Sequence, residues 1–415
     1  MRSVSPGRVE GRVKVPHSKS VFQRAVAAST LALGTSIIYV DHLCDDDLAA
    51  LNVAQILGAH VSRLDDRVEI TGPARPVGGE INCGESGLSF RMFSAVASLF
   101  DKEFKMIAEG SLNARPMDMV IEPLKSLGVD CRAEDSLPPL TIRGPMRAGK
   151  VVVDGSKSSQ FVTGLMIALP RCVKHSEILA PGLASKPYVE LTIRILEYFG
   201  VYVNADENLA HFDVPGSQNY RPTIMVIEGD WSAAAFLLVA GGIAGDVTIT
   251  GLDLNSLQPD RRALDALRDT LAHVRTGPGE IAIRSERPDS FHVDATDSPD
   301  LFPPLVALAL NCRGVSTIAG VSRLRHKESD RAAALMEEFG KLGGDIKIHG
   351  NVMKITGSKL EGGRVKSHGD HRIAMSLAVA ALTAAGPVEI EGDECVNKSY
   401  PTFFDDLESM GARVT

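Results

Sequence analysis

The feature that most constrains this chain is an internal period. Short helical patterns closing on a Leu-Gly-like turn recur down its 415 residues, with turns at Gly58, Gly128, Gly200, Leu271, Gly343 and Gly411. Their successive spacings are 70, 72, 71, 72 and 68 residues, and so regular an interval marks repeated supersecondary units. Each unit opens with a helix of small and apolar residues, as over 22–33, 161–169 and 373–384. An extended run follows, as at 36–40, 247–250 and 388–391, then a polar loop and a second helix. Val120/Leu124/Leu127, Val189/Ile193/Leu196, Leu264/Leu267/Leu271 and Leu335/Phe339/Leu342 give that second helix a one-sided apolar stripe. A hairpin closes the unit, exemplified by 346–348 and 352–355 around His349-Gly350-Asn351.

The sixth unit stops at Val414-Thr415, halfway through its hairpin, while segment 8–15 alternates like a strand and belongs to no helix. Segment 8–15 is therefore expected to supply the missing strand, which brings both termini into one domain. Two domains follow: 16–227 for units one to three, and 1–15 plus 228–415 for units four to six, with crossovers near Val15-Pro16 and Ile227-Glu228. Six modules on a string would need Pro/Gly/Ser-rich linkers, and the sequence has none. The composition, 44% apolar and 23% charged, is that of a folded soluble protein.

Several function classes drop out. Lys plus Arg (44) against Asp plus Glu (52) leaves a net charge of −8, and aromatics are only 5%, so no nucleic-acid partner is expected. The longest near-apolar run, 232–245, is too short for a bilayer, and the N-terminus has no signal-like apolar stretch, so no membrane is expected either. Six cysteines (44, 83, 131, 172, 312, 395) stand at least 39 residues apart, which implies reduced thiols and a cytoplasmic location. The eleven histidines are scattered and no cluster has ligand spacing, so no metal and no cofactor are expected.

The charged chemistry recurs at two points of the unit. At first-helix starts lie Ser18-Lys19-Ser20 with Arg24, Glu85-Ser86-Gly87 with Arg91, Ser158-Ser159-Gln160, Asp230, Asp300 and His371-Arg372. Helix N-termini bind anions through unpaired N–H groups and the dipole. One Ser-Ser pair alone is explained by N-capping; several starts carrying Lys or Arg, which oppose the dipole, are not. Before the second helices lie Asp45-Asp46-Asp47, Arg115-Pro116, Ser185-Lys186-Pro187-Tyr188, Gln258 with Arg261, 327–331 (Lys-Glu-Ser-Asp-Arg) and Lys398. The three aspartates read as dipole partners, hence structural. Arg325, Lys327 and Arg331 make a helix start too basic without an anion, with Lys327 and Arg331 four residues apart on one helical face. The residues alone point to a cofactor-free, two-domain enzyme for anionic small molecules.

Taken in order, Ser18-Lys19-Ser20-x3-Arg24, Ala114-Arg115-Pro116, the 154–160 segment (Asp-Gly-Ser-Lys-Ser-Ser-Gln), Ser185-Lys186-Pro187-Tyr188, the 327–331 segment, Asp370-His371-Arg372 and Lys398 resemble the 5-enolpyruvylshikimate-3-phosphate synthase family of enolpyruvyl transferases, from about residue 8 to the end. The resemblance implies an α/β (α+β) fold of two similar domains, each of three βαβαββ repeats, with a ligand cleft between them. It implies transfer of the enolpyruvyl (carboxyvinyl) group of phosphoenolpyruvate to the 5-hydroxyl of shikimate 3-phosphate, releasing phosphate by addition and elimination, in a monomer. Shikimate 3-phosphate would meet Lys19, Ser20, Arg24, Ser158, Ser159, Gln160, Ser185, Tyr188, Asp300 and Lys327. Phosphoenolpyruvate would meet Lys19, Gly87, Arg115, Gln160, Arg331, Arg372 and Lys398. Asp300 and Lys19 are candidates for activating the hydroxyl and Glu328 for proton transfer at the methylene carbon, the division of steps between the two carboxylates being open.

The chain departs from the family at Glu85-Ser86-Gly87-Leu88, where Asn-x-Gly-Thr is common. The bulkier Leu88 is expected to weaken binding of glyphosate, the family's phosphoenolpyruvate-site inhibitor. The alternative is the sister enolpyruvyl transferase for UDP-N-acetylglucosamine, whose loop cysteine has no counterpart at 109–111 (Glu-Gly-Ser). A non-catalytic phosphometabolite-binding protein is a further alternative, opposed by Glu328 and Asp300, since carboxylates beside anion sites weaken plain binding.

Overall fold

The computed structural model describes all residues except 74, 272, 286 and 326. The chain divides into two compact units, His17–Ile227 and Met1–Pro16 with Glu228–Thr415. Twelve α-helices run through the described residues: α1 Lys19–Leu31, α2 Asp45–Ile56, α3 Gly87–Ala97, α4 Asp118–Ser126, α5 Ser159–Ala168, α6 Lys186–Tyr198, α7 Trp231–Ala244, α8 Ala263–Thr270, α9 Phe302–Asn311, α10 Arg331–Lys341, α11 His371–Ala381 and α12 Phe403–Ser409.

Odd- and even-numbered helices differ in kind. The odd ones are first helices and bury nearly their whole circumference; α11 buries all eleven residues and α7 everything from Trp231 to Gly242. Small side chains permit this. A Cβ at Gly164 of α5 would stand 2.8 Å from the Met92 carbonyl oxygen, so α3 and α5 approach as closely as backbones allow. The even helices bury one stripe. Leu335, Phe339 and Leu342 are fully buried at α10, and Leu264, Leu267 and Leu271 nearly so at α8. In α6 the stripe is Val189, Thr192, Ile195 and Leu196, with Ile193 only half-buried, because Thr192 turns inward to bond a buried arginine.

Among the described residues six four-stranded sheets complete the units, each with one parallel and two antiparallel pairings. The fold is the expected α/β set of βαβαββ repeats, and glycines Gly58, Gly128, Gly200, Gly343 and Gly411 all take positive φ, from 70° to 96°, at the turns that mark the period.

The strand assigned to the chain start needs correction. Arg2–Ser5, not 8–15, completes the sixth sheet, pairing antiparallel with Val388–Glu391 and with Arg413–Val414. Val9–Lys14 instead runs parallel to Gly245–Thr250 in the fourth sheet. Alternation marks a strand but not its partner. Gly245 permits the close approach, since any Cβ there would lie 1.6 Å from the Val9 carbonyl oxygen. The same device closes the other unit: Ile224–Val226 pairs parallel with Gly34–Tyr39, so the end of unit three supplies the first strand of unit one. The 345–356 hairpin is also tighter than expected, since His349 pairs with Val352 and leaves a two-residue turn with Gly350 at φ 60°. No helix among the described residues is long and apolar enough to cross a membrane.

Candidate active site

In the unit His17–Ile227, the polar residues gather at the N-terminal ends of α1, α3 and α5 and the loops beside them. Arg24 is 2% exposed and donates from Nε to Thr192 Oγ1 at 2.9 Å and from Nη1 to the Ser20 carbonyl at 2.7 Å. Its guanidinium lies 5.7 Å from the centroid of the Tyr188 ring, joining Ser20, Arg24 and Tyr188. Burial lowers the Arg24 pKa to about 10, still leaving it charged at neutral pH. Ser185 precedes α6 at φ 55°, and Ser158 caps α5 by accepting the Gln160 N–H at 3.1 Å. The simple N-cap explanation of Ser158 is thus correct as far as its oxygen goes.

A second cluster forms around Gly87. Arg91 Nη1 donates to Gln160 Oε1 at 2.7 Å, and Arg115 Nη2 donates to Ser111 Oγ at 3.0 Å. A Cβ at Gly87 would meet Arg91 Nη1 at 2.9 Å, Arg115 Nη1 at 3.3 Å and Gln160 Oε1 at 3.6 Å, so the missing side chain keeps two guanidinium groups and an amide around bare backbone. Arg91, singled out in sequence only as a cation near a helix start, joins Gly87 and Gln160 in this cluster. Its signal was the four-residue spacing from Gly87, one helical turn.

Lys19 Nζ donates to Asp46 Oδ2 at 2.8 Å. All three aspartates lie in the first turn of α2, as expected of dipole partners, and Asp46 in addition pairs with Lys19. Asp47 does play the local part: its Oδ2 accepts the Cys44 N–H and meets His17 Nε2 at 3.0 Å. No local pattern separates neighbours 45, 46 and 47; only the helix start that aims Asp46 at Lys19 does so.

The other unit assembles the carboxylates. Arg331 has no exposed side-chain surface, and three carboxylates take its donors: Nη1 to Asp300 at 2.7 Å, Nη2 to Glu328 at 2.6 Å and Nε to Asp370 at 3.0 Å. Lys327 Nζ approaches Asp300 Oδ1 at 3.4 Å and Arg372 Nη2 approaches Asp300 Oδ2 at 3.2 Å. Burial pushes Asp300 upward, but Arg372, Lys327 and Arg331 outweigh it and hold its carboxyl well below the usual range. For Lys327 burial wins and lowers the pKa despite Asp300. Lys398 donates to the Gly369 carbonyl at 2.8 Å, next to Asp370.

The shared helical face proposed for Lys327 and Arg331 is a correction. Asp330 caps α10, so the helix begins at Arg331 and 327–330 is loop; the two cations meet through Asp300. Arg325 is exposed, and Asp300 sits in the one-turn Pro299–Leu301 helix that leads into α9. Asp370, part of the Asp370-His371-Arg372 motif, caps α11 and anchors Arg331. One group of possible metal ligands, Glu337, Glu338 and His368, also comes together in space although it has no spacing signature in sequence; Lys341 Nζ bonds both of its glutamates.

The model of the family "EPSP synthase (3-phosphoshikimate 1-carboxyvinyltransferase)" matches residues 4–407. The chain belongs to the EPSP synthase family. It is 39% identical to the 3-phosphoshikimate 1-carboxyvinyltransferase of Aeropyrum pernix over 99% of this chain and 96% of that protein. It is 36% identical to the Clostridium kluyveri protein of the same name, over 99% and 97%. Among solved structures, the EPSP synthase of Acinetobacter baumannii superposes with a TM-score of 0.83 at 26% identity, covering 100% of this chain and 99% of that one. The agreement spans the whole chain, so both groups of side chains described above lie inside the matched region.

Proposed function

We propose that this EPSP synthase family member transfers the enolpyruvyl group of phosphoenolpyruvate to the 5-hydroxyl of shikimate 3-phosphate and releases phosphate. The observation that carries the reading is the set of cations ordered by carboxylates: Lys327, Arg331 and Arg372 around Asp300, with Lys19 on Asp46. Plain anion binding has no need of Asp300 and Glu328 there, whereas addition and elimination need groups that carry protons.

Lys19, Gly87, Arg115, Gln160, Arg331, Arg372 and Lys398 are assigned to phosphoenolpyruvate. Lys19, Ser20, Arg24, Ser158, Ser159, Gln160, Ser185, Tyr188, Asp300 and Lys327 are assigned to shikimate 3-phosphate. In the addition step the 5-oxygen bonds to C2 of phosphoenolpyruvate while its methylene carbon gains a proton. Elimination then returns a proton from the new methyl group and expels phosphate, restoring the double bond. Asp300 with Lys19 serves the hydroxyl, and Glu328 the carbon.

Asp300 is ionised and a weak base while Arg372 and Lys327 hold it. A phosphate or carboxylate that draws those cations onto itself weakens their hold and raises the proton affinity of Asp300, so basicity appears when substrate is bound. Six free, buried cysteines accord with the cytoplasm, and the activity is assigned to a monomer without cofactor.

Phosphate release by purified protein tests the assignment, with phosphoenolpyruvate plus either shikimate 3-phosphate or UDP-N-acetylglucosamine. Release with shikimate 3-phosphate alone is expected. Release only with the nucleotide sugar overturns the reading in favour of the sister transferase, and release with neither removes the transferase assignment.

A further inference from the structure

Glu338 is a carboxylate in the wrong place for an amphipathic helix. It lies among the buried residues of α10, beside Leu335 and Phe339, and its side chain has no exposed surface. A buried carboxylate needs its lone pairs filled. Glu338 Oε2 accepts the Lys366 N–H at 2.9 Å, Lys341 Nζ bonds Oε1 and Oε2 at 2.8 and 2.9 Å, and His368 Nε2 meets Oε1 at 2.5 Å. Lys341 sits on both Glu337 and Glu338 and offsets one of their two negative charges.

Two of those partners lie at one short loop. Lys366 ends the strand Gly363–Lys366 and residues 367–370 lead on to α11, and His368 holds φ 54°, a conformation a non-glycine residue keeps only where its surroundings insist. Inside the loop the Asp370 N–H bonds the Ser367 carbonyl, the Gly369 N–H bonds Ser367 Oγ and the Gly369 carbonyl receives Lys398. Asp370 in turn receives Arg331 from the first turn of α10. The helix therefore grips the loop twice, through Arg331 at its start and Glu338 two turns later.

We propose that Glu338 and His368 are a positioning pair for the reaction, fixing the 367–370 loop so that Asp370 meets Arg331 and the Gly369 carbonyl meets Lys398. The inference rests on the assignment of Arg331 and Lys398 to phosphoenolpyruvate. The pair touches no substrate; it acts through the loop, so its loss falls on the ligand those two cations hold.

Steady-state kinetics and thermal unfolding of His368→Ala, His368→Gln, Glu338→Gln, Lys398→Ala and the His368→Ala/Lys398→Ala double variant test this. His368→Ala should raise KM for phosphoenolpyruvate about tenfold, the order of loss a misplaced binding group causes, with KM for shikimate 3-phosphate unchanged. Glu338→Gln should shift the same KM, and His368→Gln, which keeps a donor, should recover most of the loss. The double variant should lose less than the two single losses added together, because part of the His368→Ala loss passes through Lys398 and the rest through Arg331. Equal rises in both KM values, a lowered unfolding temperature with no kinetic selectivity, or additive effects in the double variant overturn the pair's role. If Lys398→Ala raises KM for phosphoenolpyruvate while His368→Ala leaves it alone, only this inference fails. If Lys398→Ala leaves it unchanged, the parent assignment fails and this inference with it.

Discussion

Arg331 donates through Nε to Asp370 Oδ2 at 3.0 Å, and neither side chain reaches solvent. A buried pair of this kind is costly to break from one side, because the remaining charge keeps its desolvation penalty without its partner. Asp300 and Glu328 still hold the other Arg331 donors, so Asp370→Ala orphans chiefly the Nε donor and should lower unfolding stability by about 1–3 kcal/mol, seen as a shift of the denaturant midpoint. Asp370→Asn keeps an oxygen for the Arg372 N–H that caps α11 and should lose less. Equal losses would mean that the cap contributes nothing.

The Lys19–Asp46 contact is partly open, with side-chain exposures of 18% and 12%. Asp46→Ala should cost little stability. It should lower kcat/KM by roughly tenfold or more, the scale of a lost hydrogen bond to a charged group. An unchanged kcat/KM would return Asp46 to the dipole role its neighbours suggest.

Asp260 gives a pH dependence. Burial, with a smaller push from Asp300, raises its carboxyl from the ordinary 3.8 to about 7, and Ser232 Oγ is its hydrogen-bond partner. The folded state keeps a proton that the unfolded chain has already released between those values, so this group's contribution to stability falls as pH rises across that window. Asp260→Asn removes the titration. Its stability relative to the parent should improve between about pH 5 and about pH 8 in matched denaturant curves, and a constant or declining difference would contradict the shift.

Gly110 stands at φ 49° where a Cβ would come within 2.2 Å of Glu85 Oε2. Glu85 accepts the Ser111 N–H, and Ser111 Oγ holds Arg115. Gly110→Ala adds about 1 kcal/mol of backbone strain and displaces Glu85, so Arg115 loses its support. KM for phosphoenolpyruvate should rise more than KM for shikimate 3-phosphate; a parallel rise in both would place the damage elsewhere.

Leu88 is buried in the first turn of α3, next to Gly87 and its ring of Arg91, Arg115 and Gln160. Leu88→Thr should lower the inhibition constant for glyphosate, and a constant that stays or rises would show that Leu88 does not govern access.

Much of this molecule was legible without coordinates. The 70-residue period, the buried first helices and the striped second helices follow from local patterns, because apolar spacing and turn glycines act over one or two turns of chain. Lys19, Arg115, Lys327 and Arg372 stood out for a similar reason: cations at or just before helix starts oppose the dipole unless something else binds them. Pairing across long separations was not legible. The sequence marked 8–15 as a strand, yet in three dimensions Val9–Lys14 pairs in the fourth sheet, against Gly245–Thr250, and Arg2–Ser5 in the sixth.

The partners of charges were equally hidden. Asp46 and Asp47 are neighbours with one composition, but backbone direction aims the first at Lys19 and the second at His17. Arg331 looked like a free anion binder until the fold wrapped three carboxylates around it, contributed from positions 300, 328 and 370. The order of amino acids determined which elements form and which charges are too many for a structural role. Tertiary structure alone decided which carboxylate faces which cation, since a hydrogen bond depends on distance in space, and chain separation carries almost no information about that.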